Sequence, residues 1–160
     1  MKNIAFLLPL LYSISMTTIA QTNDLSPAEL ANYTLNCLSA DEDGNRELEK
    51  MKACFTEDAR LGFVEQTKEG LRFRQFSISD FVTIITKQGK EGAFTETQLE
   101  VITNEYNGMA QVFQSYEVRF GDQSEQGINS YQMVQLEEGW KIVSIVWSND
   151  RNGVPVPEFD

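Results

Sequence analysis

The chain contains no histidine. The side chain that ordinarily titrates nearest neutral pH is therefore missing, and with it a leading zinc ligand. Basic residues are scarce too: 13 Lys and Arg stand against 24 Asp and Glu, a formal charge of −11 over 160 residues. Such a surface repels phosphate backbones and anionic lipid, which argues against nucleic acid and membranes as partners. Cysteine occurs only at Cys37 and Cys54. Two antiparallel helices would hold their Cα atoms on the order of 10 Å apart, beyond bridging reach, whereas crossing helices would bring them within it. A disulfide and a pair of small core residues both remain open. No apolar run approaches the roughly 20 residues of a lasting membrane span.

What is present begins with a leader-like start. Lys2, an apolar run from Ile4 to Tyr12 broken by Pro9, and Thr18-Ile19-Ala20 form the pattern of a signal peptide cut near Ala20. The expected organisation is residues 1–20 as signal peptide, 21–148 as one domain exported to the periplasm or beyond, and 149–160 as a polar tail. Lys2 is the only charged residue of the leader, so the remainder carries 12 basic against 24 acidic side chains.

Ser26-Pro27-Ala28-Glu29 is a helix start with N-cap, N1 proline and capping box. Leu30, Tyr33, Thr34, Cys37 and Leu38 then recur at helical spacing. The acidic loop Asp41 to Asn45 places Gly44 fourth and Lys52 twelfth, where an EF-hand needs glycine sixth and glutamate twelfth; no metal or cofactor is expected. Asn45 begins a second helix. Ala59–Gln66 and Leu71–Phe76 form a hairpin, with Arg60, Arg72 and Arg74 on the face opposite Leu61 and Phe63. Ser77 to Asp80 caps a third helix that ends at Gly89. From Phe94 to Trp147 the chain alternates as strands, with Asn107-Gly108 as a two-residue hairpin turn. The order implies an α+β domain, a strongly curved antiparallel sheet with three helices on its concave side.

Three-residue loops at Gly121–Gln123 and Glu137–Gly139 pair Phe120 with Ser124 and Leu136 with Trp140. This register collects Leu99, Val101, Val112, Val118, Phe120, Ile128, Val134, Leu136, Trp140, Ile142 and Val146 on the concave face. Among them stands a polar group, Gln114, Tyr116, Ser130, Gln132 and Ser144. With Tyr33 from the first helix and Trp140 at the floor, it is the expected ligand pocket; mutual hydrogen bonding in the core is the alternative. The opposite face gathers Ile102, Phe113, Tyr131, Met133, Ile145 and Trp147, an apolar stripe expected to form a homodimer. It also sets Arg119 opposite Glu125. The concave middle then holds no acid or base from the strands after Asn107, and Glu65 is the nearest carboxylate.

Phe55-Thr56-Glu57-Asp58-Ala59 and Gly139-Trp140-Lys141-Ile142-Val143 resemble the nuclear transport factor 2-like (SnoaL-like) superfamily, over about Ser26 to Ser148. Asn107 to Phe113, Tyr116-Glu117-Val118 and Gly127 to Gln132 are similar to an uncharacterised exported bacterial branch, which commonly has histidine and cysteine where this chain has Glu125 and Gln126. The resemblance implies a cone-like sheet wrapped around a helix with a pocket between them. That fold serves isomerases, dehydratases, binding proteins and assembly domains. The function expected from the residues is non-catalytic binding of a small apolar molecule. An isomerase- or dehydratase-type enzyme using a buried carboxylate, and a structural interaction module, stand beside it.

Overall fold

The computed structural model describes residues 24–88 and 92–159. The expected signal peptide and the Gly89 helix end lie outside the described residues.

Ser26 opens the first helix by the capping box. Its amide and its hydroxyl donate to Glu29 Oε2 at 2.8 and 2.7 Å, and its Oγ accepts from the Glu29 amide at 3.4 Å. Helix α1 spans Pro27–Leu38. Asn45 does not start α2, which covers only Leu48–Ala53. It belongs instead to a loop organised by Asp41, whose Oδ1 accepts from the amides of Asp43 and Asn45 at 3.0 and 2.8 Å. Strands β1 (Phe55–Thr67) and β2 (Gly70–Ser77) form a hairpin. Ser77 accepts from the Asp80 amide at 3.0 Å and so caps α3, Ile78–Gln88. Strands β3 (Phe94–Tyr106), β4 (Met109–Phe120), β5 (Gln123–Leu136) and β6 (Gly139–Asn149) follow, then a 3-10 turn at Asp150–Asn152.

The six strands lie in the order β2-β1-β6-β5-β4-β3. Only β1 and β6 pair in parallel. β3, β4 and β5 have 13, 12 and 14 residues. Strands of that length, roughly 40 Å at about 3.3 Å per residue, must twist and coil to stay on one small core. The architecture is α+β, with a curved, unclosed sheet and three helices, as the order of elements implies.

The register differs from the expectation at both later turns. Phe120 pairs with Gln123 across Gly121-Asp122, and Leu136 pairs with Gly139 across Glu137-Glu138. Each is a two-residue turn, and a slip of one residue moves every side chain of the next strand to the other face. β5 therefore points Asn129, Tyr131 and Met133 at the helices, and Ile128, Ser130, Gln132 and Val134 away. Two bulges add to this. One extra residue in β3 between Gln98 and Val101, and one in β6 between Ile142 and Ser144, let both sides of each break face inward. The Leu99, Ile128, Val134, Leu136 and Val146 expected on the concave face are thereby turned outward. In the first hairpin Phe63 pairs with Arg74 and Glu65 with Arg72, so those arginines share the inner face while Arg60 does not.

The core lies between α1, α2 and the middle of the sheet. Leu30, Cys37, Cys54, Val112, Tyr131, Met133 and Ile142 are at most 2% exposed, and each large apolar side chain there contributes about 1.5–3 kcal/mol by leaving water. Cys37 and Cys54 are both buried and unbonded. After the 3-10 turn the tail reaches the convex face, where the Phe159 amide donates to Glu100 Oε2 at 2.9 Å and its ring packs 5.4 Å from that of Phe113.

Candidate functional site

A cavity of about 990 Å³ opens between the concave sheet and the helices. Thr34, Leu35 and Leu38 of α1 form one wall, and Phe81, Ile84 and Ile85 of α3 another. Phe63 of β1 stacks on Trp147 of β6 at 5.5 Å, and Phe81 meets the same indole edge-on at 5.8 Å. A cavity of this size with aromatic walls has the proportions of a small-molecule site.

Beside the cavity lies a buried polar network. Gln114 is fully buried; its Oε1 accepts from the Tyr131 hydroxyl at 3.1 Å and from Asn129 Nδ2 at 3.2 Å, while its Nε2 donates to Gln98 Oε1 at 2.8 Å. Thr34 donates to the Ala31 carbonyl at 2.7 Å. Because Gln114 satisfies three neighbours at once, it fixes the tilt of Tyr131 and the amide orientation of Asn129, both of which line the cavity. Burial raises the phenols of Tyr116 and Tyr131 above their ordinary value, so both stay protonated and serve as hydrogen-bond donors.

Two carboxylates also face the cavity, Glu96 from β3 and Glu125 from β5. They flank Val118, which pairs with both. Glu125 is engaged by Arg151, whose Nε donates to its Oε2, and by Asn149 Nδ2 at 3.3 Å. Among the described residues no side chain hydrogen-bonds the Glu96 carboxyl. Burial pushes its pKa up to about 8; the Arg46 guanidinium opposes the shift and the negative charge of Glu125 adds to it. Only the backbone of Glu96 is tied down, its amide donating to Ser39 Oγ at 2.9 Å. Among the described residues no group of three or more Cys, Asp or Glu side chains is placed to hold a metal ion.

Of the expected pocket residues, Gln114 and Tyr116 face inward, and only Tyr116 lines the cavity. Trp140 is buried in the core away from the cavity, and Tyr33 packs against the core beside Cys37. Ser130, Gln132 and Ser144 lie on the convex side, a correction that follows from the two-residue turn before β5 for the first two and from the β6 bulge for Ser144. The expected stripe is likewise divided: Ile102 and Phe113 remain outside, whereas Tyr131, Met133, Ile145 and Trp147 belong to the core, with Tyr131, Ile145 and Trp147 lining the cavity. Arg119 pairs with Glu117 at 2.6 Å rather than with Glu125. Glu65 is met by Arg72 and Arg74 at 3.8 and 3.9 Å and does not line the cavity. The concave face thus does carry acids. Glu96 escapes the alternation because its strand changes face at the bulge, and the signal is in the sequence: the apolar parity runs even at Phe94 and odd at Val101.

No family model and no curated protein matches the chain. Solved structures do. An NTF2-like protein of unknown function from Pseudomonas putida aligns with a TM-score of 0.60 at 11% identity, over 83% of this chain and 92% of that one. A protein of unknown function with a cystatin-like fold from Nostoc punctiforme gives 0.57 at 13%, over 79% and 95%. A putative scytalone dehydratase from Novosphingobium aromaticivorans gives 0.53 at 12%, over 74% and 75%. The chain has the nuclear transport factor 2-like fold, as its sequence resemblance implied. At these identities the likeness is one of fold, and function must be argued from the site.

Proposed function

We propose that the cavity binds a small, largely apolar molecule and that Glu96 moves a proton on it, in an isomerase- or dehydratase-type reaction. The observation that carries this reading is Glu96 itself, a carboxyl in an aromatic cavity with no hydrogen-bonding side-chain partner among the described residues and its pKa raised to about 8. General acid–base catalysis is most efficient when the group titrates near the working pH. A surface glutamate is almost fully ionised at pH 7 and too weak a base; Glu96 is mostly protonated there, and strongly basic once ionised. As base it takes a proton from carbon. As acid it returns that proton to a different atom, completing an isomerisation, or gives it to a departing hydroxyl, which leaves as water. Tyr116 sits diagonally across the β3–β4 ladder from Glu96, at about 7 Å between Cβ atoms, where its phenol can donate to a substrate oxygen. Glu125, occupied by Arg151, orients rather than transfers.

The test is the ring opening of a nitrobenzisoxazole, an apolar probe that needs only removal of one carbon-bound proton. The protein is expected to accelerate it, with a rate that rises through pH 8 to a plateau, and Glu96→Gln to lose about 100-fold. Equal rates for the two proteins would end the proton-transfer reading; a retained ligand with no turnover in either would leave a binding module.

A further inference from the structure

We propose that the natural ligand carries a carboxylate and that Arg46 receives it, so that the substrate class is a small apolar organic acid. The inference deepens the proposed function and rests on its reading of the cavity as a binding site.

Arg46 leaves the loop that Asp41 organises and is held at two points. Its Nε donates to the Leu38 carbonyl at 2.9 Å, and its guanidinium carbon stands 5.1 Å over the Phe94 ring. Leu38, Phe94 and Arg46 all line the cavity. Both restraints use the near side and the flat face of the guanidinium, and among the described residues no hydrogen bond engages its two terminal nitrogens. The other cavity arginines stand beside an acid, Arg74 by Glu65 and Arg151 by Glu125. Among the described residues no carboxylate oxygen lies within ion-pairing distance, 4.0 Å, of Arg46. In a chain with 24 acidic side chains and 13 basic ones, a cation in a cavity wall with no ion-pairing partner among the described residues is a candidate receptor for an outside anion.

The neighbouring carboxyl does not supply the missing anion. Glu96 is influenced by Arg46 yet keeps its proton near neutral pH, because burial outweighs that attraction. It therefore neither neutralises the guanidinium nor repels an incoming anion. A planar fork already stacked on a ring loses little freedom when two carboxylate oxygens dock on it, and such pairs are the strongest charge-assisted hydrogen bonds proteins make. The aromatic wall of Phe63, Phe81 and Trp147 suits a flat apolar body attached to that acid.

Calorimetry with naphthoate and naphthalenemethanol, which share a ring system and differ in charge, tests the assignment. The unmodified protein is expected to bind naphthoate at least about tenfold more tightly. Arg46→Gln should abolish that preference without weakening the alcohol, and Arg46→Lys should keep part of it. Equal affinities in the unmodified protein, a preference that survives in Arg46→Gln, or no binding of either compound would overturn it. Glu96→Gln separates the two proposals, since it should lose ring opening while retaining the naphthoate preference. Loss of ring opening in Glu96→Gln, with the preference intact in Arg46→Gln, would refute the acid-binding role alone.

Discussion

The phenol of Tyr116 occupies the space that a side chain on Gly127 would need. The two residues are cross-strand partners, and a Cβ built on Gly127 would lie 2.5 Å from Tyr116 Oη and 2.5 Å from the Ser148 carbonyl oxygen. The glycine is required here by space, not by backbone angle. Tyr116 can tilt away, but the Ser148 oxygen is fixed in the neighbouring strand, so Gly127→Ala must strain β6 even after Tyr116 has moved. Overpacking of this kind costs about 1–3 kcal/mol. Urea unfolding should show that loss, and an unchanged midpoint would mean the ring and the strand yield freely.

Glu96 sets a pH dependence whose sign can be worked out. Its folded pKa, about 8, lies above the ordinary 4.5, so between those values the native state holds a proton that the unfolded chain has released. Stability must then fall as pH rises through that window. Because Glu96 is only partly shielded from solvent, the effect falls short of its full value, and a loss of about 2–4 kcal/mol between pH 5 and pH 8 is expected. Glu96→Gln should remove this part of the slope, making the variant the more stable protein at pH 8 and no more stable at pH 4. Parallel slopes for the two proteins would show that Glu96 titrates normally.

Gln114 and Gln132 look alike in the alternation but differ in consequence. Gln114→Leu leaves Gln98, Asn129 and Tyr131 each short of a hydrogen bond inside the protein, at about 2–4 kcal/mol. Gln132 is exposed on the convex side, and Gln132→Leu should stay within about 0.5 kcal/mol. Denaturation midpoints that moved equally would contradict the observed register.

That contrast shows where the sequence was legible. The helix starts at Ser26 and Ser77, the Asn107-Gly108 turn and the existence of each strand from β3 to β6 all rest on local chemistry, and local chemistry was sufficient. Faces were not, because they depend on counting residues through turns. Gly121, with φ 56° at the first central position, makes a two-residue turn of the kind that Gly-Asp announces. Gly139, with φ 100°, closes the turn at its fourth position rather than extending it. The bulges carry a fainter mark, the change of apolar parity between Phe94 and Val101 and between Ile142 and Ile145. Glu96 became a site residue only once the first of these was resolved. Arg46 had no sequence signal at all, since its place over Phe94 depends on the Ala40–Phe94 bridge.

The parallel seam between β1 and β6 has a consequence for how the chain is made. β3 to β6 are joined by short turns and can zip in sequence, and β1 with β2 forms a hairpin on its own. Joining the two blocks requires Leu61 to meet Ile145 and Phe63 to meet Trp147, partners that a ribosome produces near opposite ends of the domain. Contacts so distant along the chain slow folding, since a large loop must close before they are rewarded. Until β6 is complete, the inner edge of β1 stays unpaired, and the nascent hairpin offers that edge to any other strand within reach.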